Sequence, residues 1–216
     1  MSIYSSPTGC PPAVLHVGTS GYSYPEWVEA GFYPPGTSQR QMLKLYARQF
    51  SCAELNYTWY QIPKDGSIER MRRQVPEEFC FTAKLIRSLT HEVDSDRWRE
   101  QTVQYRNCIA PPIQSGQLAA ILIQFPSAFD RVPPNRYDLA TLLDEFEGLP
   151  AAVEFRNASW VSDKVFAELE RRRVTLVGGM SWICRGYSRY RPRFLLYSFS
   201  RPKRSGMAFR RYAAPV

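Results

Sequence analysis

Between residues 13 and 177 the chain alternates short β-prone runs with segments of helical period, and this alternation constrains the fold more than any other feature. The β-prone runs are residues 14–19 (VLHVGT), 52–57 (CAELNY), 79–85 (FCFTAKL), 118–125 (LAAILIQF), 151–155 (AAVEF) and 174–177 (VTLV). Helical segments fill the intervals at residues 39–50, 67–75, 94–109, 137–146 and 163–173, with Asn135 and Ser162 as N-caps of the last two. In the first, Met42, Leu45, Tyr46 and Gln49 recur at helical spacing. Strands separated by single helices pair in parallel through right-handed crossovers. The unbroken apolar run at residues 118–125 suits a strand buried on both faces. Such repetition favours a closed barrel over an open doubly wound sheet. The prediction is an α/β chain forming a TIM-type (β/α) barrel with about six clear βα units, incomplete at its C-terminus.

The ends of these runs carry the chemistry. Side chains alternate along a strand, so Glu54 pairs with Asn56, Thr82 with Lys84, and Glu154 with Arg156 on one face. Leu55, Ala83 and Phe155 then suit the face under the helices, which places Glu54, Asn56, Lys84, Gln124, Glu154 and Arg156 inside the barrel near its C-terminal mouth. Lys84, His91 and Glu154 are candidate acid/base or electrostatic groups; Asn56, Gln124 and Arg156 are candidate positioning groups. Tyr22, Tyr60 and Trp160, among further aromatics at Tyr24, Trp27, Tyr57 and Trp59, are candidate walls for a sugar or base. The competing account is structural: a self-satisfied interior ion network and aromatics that cap the core.

Other signatures are absent. No G-x-G-x-x-G or G-x-x-x-x-G-K-[ST] follows a strand. Two histidines, His16 and His91, are too few for a His-rich metal centre, so no metal or other cofactor is expected. The five cysteines include no C-x-x-C pair and read as reduced, buried thiols of a cytoplasmic protein. Residues 1–12, rich in Ser, Pro and Gly, read as a flexible leader without the pattern of a signal peptide. No apolar run is long enough to span a membrane.

The stretch Gly18-Thr19-Ser20-Gly21-Tyr22-Ser23-Tyr24-Pro25-Glu26-Trp27, followed by Phe32-Tyr33-Pro34 and Tyr46-Ala47 with Phe50, resembles the opening of the YecE-like family, also called domain of unknown function 72. Glu54-Leu55-Asn56-Tyr57-Thr58-Trp59-Tyr60 is similar to that family's E-x-N-x-[ST]-[FW]-Y motif. Phe81-Thr82-Ala83-Lys84, Thr90-His91, Gln124-Phe125-Pro126, Glu154-Phe155-Arg156 and Ser159-Trp160 continue the match in order. The resemblance covers residues 14–177 and implies a TIM-type barrel without supplying a reaction.

The net charge of +8 belongs to the end of the chain. Residues 178–216 hold nine Lys/Arg and no acid, whereas residues 1–177 hold 19 Lys/Arg and 20 Asp/Glu. The resemblance stops at the same point: residues 194–201 (FLLYSFSR) lie where relatives carry an aromatic-x-R-x-H-G-like motif, without its His or Gly. The basic tail therefore reads as foreign to the family, as a shifted reading frame would leave it. It is expected to be irregular and not to complete an eight-stranded barrel, leaving the first and sixth strands with open edges. A basic arm for nucleic acid is the alternative. The leading expectation is an enzyme acting on a small molecule or glycan at the mouth, with no membrane partner. A nucleic-acid-binding or endonuclease IV-like protein and a non-catalytic interaction protein are the other readings.

Overall fold

A computed structural model of the chain describes residues 15–93, 96–179, 195–198 and 209–213. Its strands are β1 (Leu15–Ser20), β2 (Cys52–Leu55), β3 (Cys80–Lys84), β4 (Leu118–Gln124), β5 (Ala151–Glu154), β6 (Thr175–Gly179), β7 (Leu195–Ser198) and β8 (Phe209–Ala213). The six strands β1–β6 pair in parallel, each with the next, and curl as the wall of a partial TIM-type barrel. Strand β7 adds in parallel to β6, and β8 runs antiparallel to both β7 and β1, so the ring closes.

This closure corrects one part of the expectation for the tail, that the first and sixth strands keep open edges. The segment after Val177 supplies two strands that pair the edges of β6 and β1, although its last strand runs opposite to the sense of a (β/α)8 barrel. Compositional bias and a lost motif do not prevent backbone pairing, because ladder hydrogen bonds are made by groups that nearly every residue carries. The leader, Cys10 and Cys184 lie outside the described residues.

The helices between the parallel strands are α1 (Glu26–Glu29), α2 (Gln39–Tyr46), α3 (Ser67–Arg72), α4 (Trp98–Gln114), α5 (Pro133–Glu145) and α6 (Asp163–Arg171). Helix α2 starts where the Ser38 N–H donates to Gln41 Oε1 at 3.0 Å. Helix α6 starts at Ser162, whose hydroxyl accepts from Val165 N, as the sequence suggests. Asn135 is not a cap: α5 already begins at Pro133, and the Asn135 amide donates back to the Asp130 carbonyl and carboxylate. Proline at the first helical position loses no hydrogen bond and has a suitable φ, so Pro133 is the better start signal. Helix α4 runs past the expected end at Ile109 through Pro111 and Pro112. Its face remains useful there, since Pro112 is buried and its carbonyl accepts from Gln117 N at 2.8 Å. Among the described residues no helix is long and apolar enough to cross a membrane.

Strand alternation divides the interior into two cores. The larger lies between sheet and helices, where Leu55, Phe81, Ala83, Ile121, Ile123, Val153 and Phe155 meet Tyr46, Ile68, Tyr105, Leu143 and Leu169. The smaller fills the barrel's centre with Cys52, Cys80, Ala120, Leu122, Ala152 and Val177. Cys52 and Cys80 face each other in register across β2 and β3, with Cys52 fully buried. Burial pushes the Cys52 thiol well above its ordinary pKa. Cys52, Cys80 and Cys108 are free thiols. Small side chains let the strands close tightly. Gly18 marks the limit, because a Cβ there would collide with the Cys52 carbonyl and lie 2.7 Å from its Sγ.

Candidate active site at the barrel mouth

The inward positions change character toward the strand ends. Above the apolar floor of Leu122 and Ala152 come Glu54, Lys84, Gln124 and Glu154. Glu54 has no exposed surface and accepts from Ser20 Oγ at 2.7 Å, across the Ser20–Glu54 register pair of β1 and β2. Gln124, 4% exposed, sits beside Glu154 in the β4–β5 register. The Arg156 Nε lies 3.7 Å from Glu154 Oε1, while the buried Oε2 has no hydrogen-bond partner among the described residues. A buried carboxylate oxygen favours a donor within reach.

Lys84 is the best-supported member of the group. Its carbonyl accepts from Tyr105 Oη at 3.0 Å and lies 2.6 Å from Thr58 Oγ1, which lies equally close to the Leu55 carbonyl. The last residue of β3 is thereby tied to α4 and to the turn after β2. Its ammonium stands 5.1 Å over the Trp59 ring, in cation–π contact. His91 meets the same ring edge-on, with centroids 5.4 Å apart and planes at 89°, and its Nδ1 lies 2.8 Å from Thr90 Oγ1. Burial, then the positive charges of Lys84 and Arg156, hold His91 below the ordinary imidazole pKa of 6.5, with Glu92 opposing them weakly. Beside two cations the His91 ring disfavours taking on a third positive charge.

The structure thus brings Lys84, His91, Glu154 and Arg156 to one end of the barrel, with Gln124 beside Glu154. Four sequence placements need correction. Asn56 does not continue β2: the strand stops at Leu55, and Asn56 opens a 3-10 turn, Asn56–Trp59. Thr58 causes the change, since its hydroxyl bonds the backbone three residues back and competes with the ladder. Arg156 lies beyond β5 and is half exposed at the rim rather than inside the barrel. Trp160 is not a wall of the mouth: it is buried, stacked on Phe155 at 4.7 Å and Phe129 at 5.3 Å, and its Nε1 donates to the Phe129 carbonyl. Tyr22 packs against the outer core beside Tyr46, and its hydroxyl is pushed up to about 12 by burial and then by Tyr57. Tyr60 is 63% exposed and meets Trp59 edge-on at the rim.

Trp59 is the residue that sequence reasoning left among many aromatics. It touches Lys84, His91 and Tyr60, and its buried Nε1 has no acceptor among the described residues. The sequence carries no signal for it, because its place at the mouth comes from the 3-10 turn that follows β2. Among the described residues no three His, Cys, Asp or Glu side chains group closely enough to hold a metal ion.

With this geometry in place, comparison with known proteins gives the family. The sequence profile described as "Protein of unknown function DUF72" matches residues 16–181. The chain belongs to the DUF72 family. It is 28% identical over 159 residues to UPF0759 protein YunF of Bacillus subtilis (strain 168), covering 72% of this chain and 55% of that protein. It is 27% identical over 135 residues to UPF0759 protein YecE of Escherichia coli (strain K12), covering 62% and 46%. The chain therefore spans about half the length of these relatives. Two crystal structures of DUF72 proteins share the fold. The one from Thermotoga maritima MSB8 has a TM-score of 0.64 at 32% identity, over 75% of this chain and 63% of that one. The one from Enterococcus faecalis V583 has a TM-score of 0.60 at 26% identity, over 66% and 60%. The DUF72 match covers every mouth residue described above and ends just after β6.

Proposed function

We propose that the mouth binds a small polar molecule bearing negative charge, such as an acidic sugar derivative, and acts on it by proton transfer. The reading rests on one observation above all: the Lys84 ammonium stands over the Trp59 ring that the His91 imidazole meets edge-on, and the Arg156 charge acts on the same imidazole. In this reading Lys84 and Arg156 hold the anionic group and stabilise charge that develops during reaction. His91 is the base, and Trp59 with Tyr60 offers a flat apolar face to a ring. Glu154 orients Arg156 and receives a donor from the substrate on its unpartnered Oε2.

A thermal-shift screen of sugar phosphates, sugar acids and neutral oligosaccharides tests this. An acidic member should raise the melting temperature of the wild type and lose most of that effect in Arg156→Met and His91→Asn. Stabilisation by neutral sugars alone, or a shift that both variants retain, would refute the reading.

A further inference from the structure

A second concavity lies outside the barrel. Helices α5 and α6 enclose a cleft of about 620 Å³, within the range of small-molecule sites. Its floor is apolar, built from Leu139 and Leu143 of α5, Val165 and Leu169 of α6, and the Trp160 ring that the core stack fixes in place. Its cations are unevenly placed. Arg131 precedes α5, Arg136 lies in its first turn, and Lys164 lies in the first turn of α6. Both helices follow parallel strands, so their first turns lie at the same end of the barrel, and the three cations gather at one end of the cleft.

At the other end the charges cancel. Arg172 binds Asp144 and Glu168, and Arg171 also binds Glu168. Those hydrogen bonds hold the Glu168 carboxyl down to about 2, and among the described residues Glu168 is the one acid in the lining. Among the described residues Arg136, Lys164 and Arg131 have no carboxylate partner, and the Arg131 guanidinium donates to Ser162 Oγ. The cleft thus has a cationic head and an apolar run of about 10 Å from Arg136 to Leu143, at helical rise.

We propose that this cleft is a binding site for a single-headed amphiphilic anion, an alkyl carboxylate of medium length. The carboxylate sits among Arg131, Arg136 and Lys164, and the chain lies along Ala140, Val165 and the edge of Leu143. Charge complementarity selects this occupant. A neutral ligand would leave the cationic end unused, and an extended acidic peptide would meet the engaged Arg172–Glu168 pair at the far end.

Isothermal titration with decanoate, decanol and acetate tests the assignment. Decanoate should bind one to one, about tenfold more tightly than decanol, with acetate undetectable. Arg136→Glu combined with Lys164→Glu, both exposed positions, should weaken decanoate about tenfold without changing the far-ultraviolet spectrum or the melting temperature of the free protein. Leu143→Gln should weaken decanoate and decanol alike, and His91→Asn should weaken neither. Equal affinity for decanoate and decanol, or binding that survives the charge reversal, would overturn the proposal. So would loss in His91→Asn, which would move the ligand to the barrel mouth. A concentration-dependent dimer that the charge reversal disperses would assign the cleft to a second copy of the chain instead.

Discussion

Gly18→Ala is predicted to be among the most damaging single-methyl changes in this barrel. The added Cβ would overlap the Cys52 carbonyl, a backbone atom of the neighbouring strand, and approach Cys52 Sγ to 2.7 Å. Gly18 and Cys52 are register partners in β1 and β2, so relief requires spreading the ladder beneath the Ser20–Glu54 hydrogen bond. Overpacking in a dense core costs about 1–3 kcal/mol, and a collision with backbone belongs at the top of that range, about 3 kcal/mol. For a chain of this size that is a fall of roughly 6–12 °C in melting temperature. Gly148→Ala is the control: its φ is +79°, so alanine is strained there, but nothing lies within 4 Å of the new methyl group. Its cost should be about 1–2 kcal/mol. Urea unfolding followed by tryptophan fluorescence, with m-values compared, measures both. A Gly18→Ala protein no less stable than Gly148→Ala would refute the argument that strand approach, rather than turn geometry, fixes this glycine.

Two further outcomes follow from the same geometry. Tyr105→Phe removes one of two hydroxyls at the Lys84 carbonyl and should cost about 1 kcal/mol in urea unfolding; the double change with Thr58→Val should cost more than the sum of the two, because the carbonyl is then left dry. Strict additivity would show that the two hydroxyls do not share that acceptor. Ending the chain after Val177 removes β7 and β8, so the exposed edges of β1 and β6 should give light-scattering aggregates; a monomer with a cooperative transition would contradict closure by those strands.

The alternation of runs made the wall of the barrel legible. Residues 118–125 and 151–155 became β4 and β5 almost unchanged, because a run buried on both faces has no other way to hide its apolar side chains. Ser162 was legible for an equally local reason, its hydroxyl serving an N–H three residues on. What escaped depended on competition between local and distant partners. Asn56 fits the strand pattern, but the Thr58 hydroxyl lies 2.6 Å from both the Leu55 and the Lys84 carbonyls, and its one proton, shared between them, turns the chain so that β2 ends two residues early. Trp160 carries the flat, polar-tipped ring expected of a sugar platform, yet its N–H is spent on Phe129 and its face on Phe155. The closing strands were obscured by a charge imbalance that governs partners and solubility but says little about backbone pairing. Of the mouth, the strand-end residues Lys84, Gln124 and Glu154 were readable from period two. Trp59 was not, because its role comes from the turn that follows β2.

The central claim is that Lys84, His91 and Arg156 act on one another across the mouth, and a titration of the His91 ring by NMR tests it most directly. The chain has only two histidines, so the imidazole signals are separable by His91→Asn. His91 should titrate below 6.5 and move upward in Lys84→Met and again in Arg156→Met, as each neighbouring cation is removed. Because its folded-state pKa is depressed, the unfolded chain takes up the proton first. The contribution of His91 to stability should be fully present above about pH 6.5 and fall as the pH drops from there through the folded-state value. A His91 that titrates at its ordinary value and ignores both substitutions would contradict the account, since the three side chains would then not share a site.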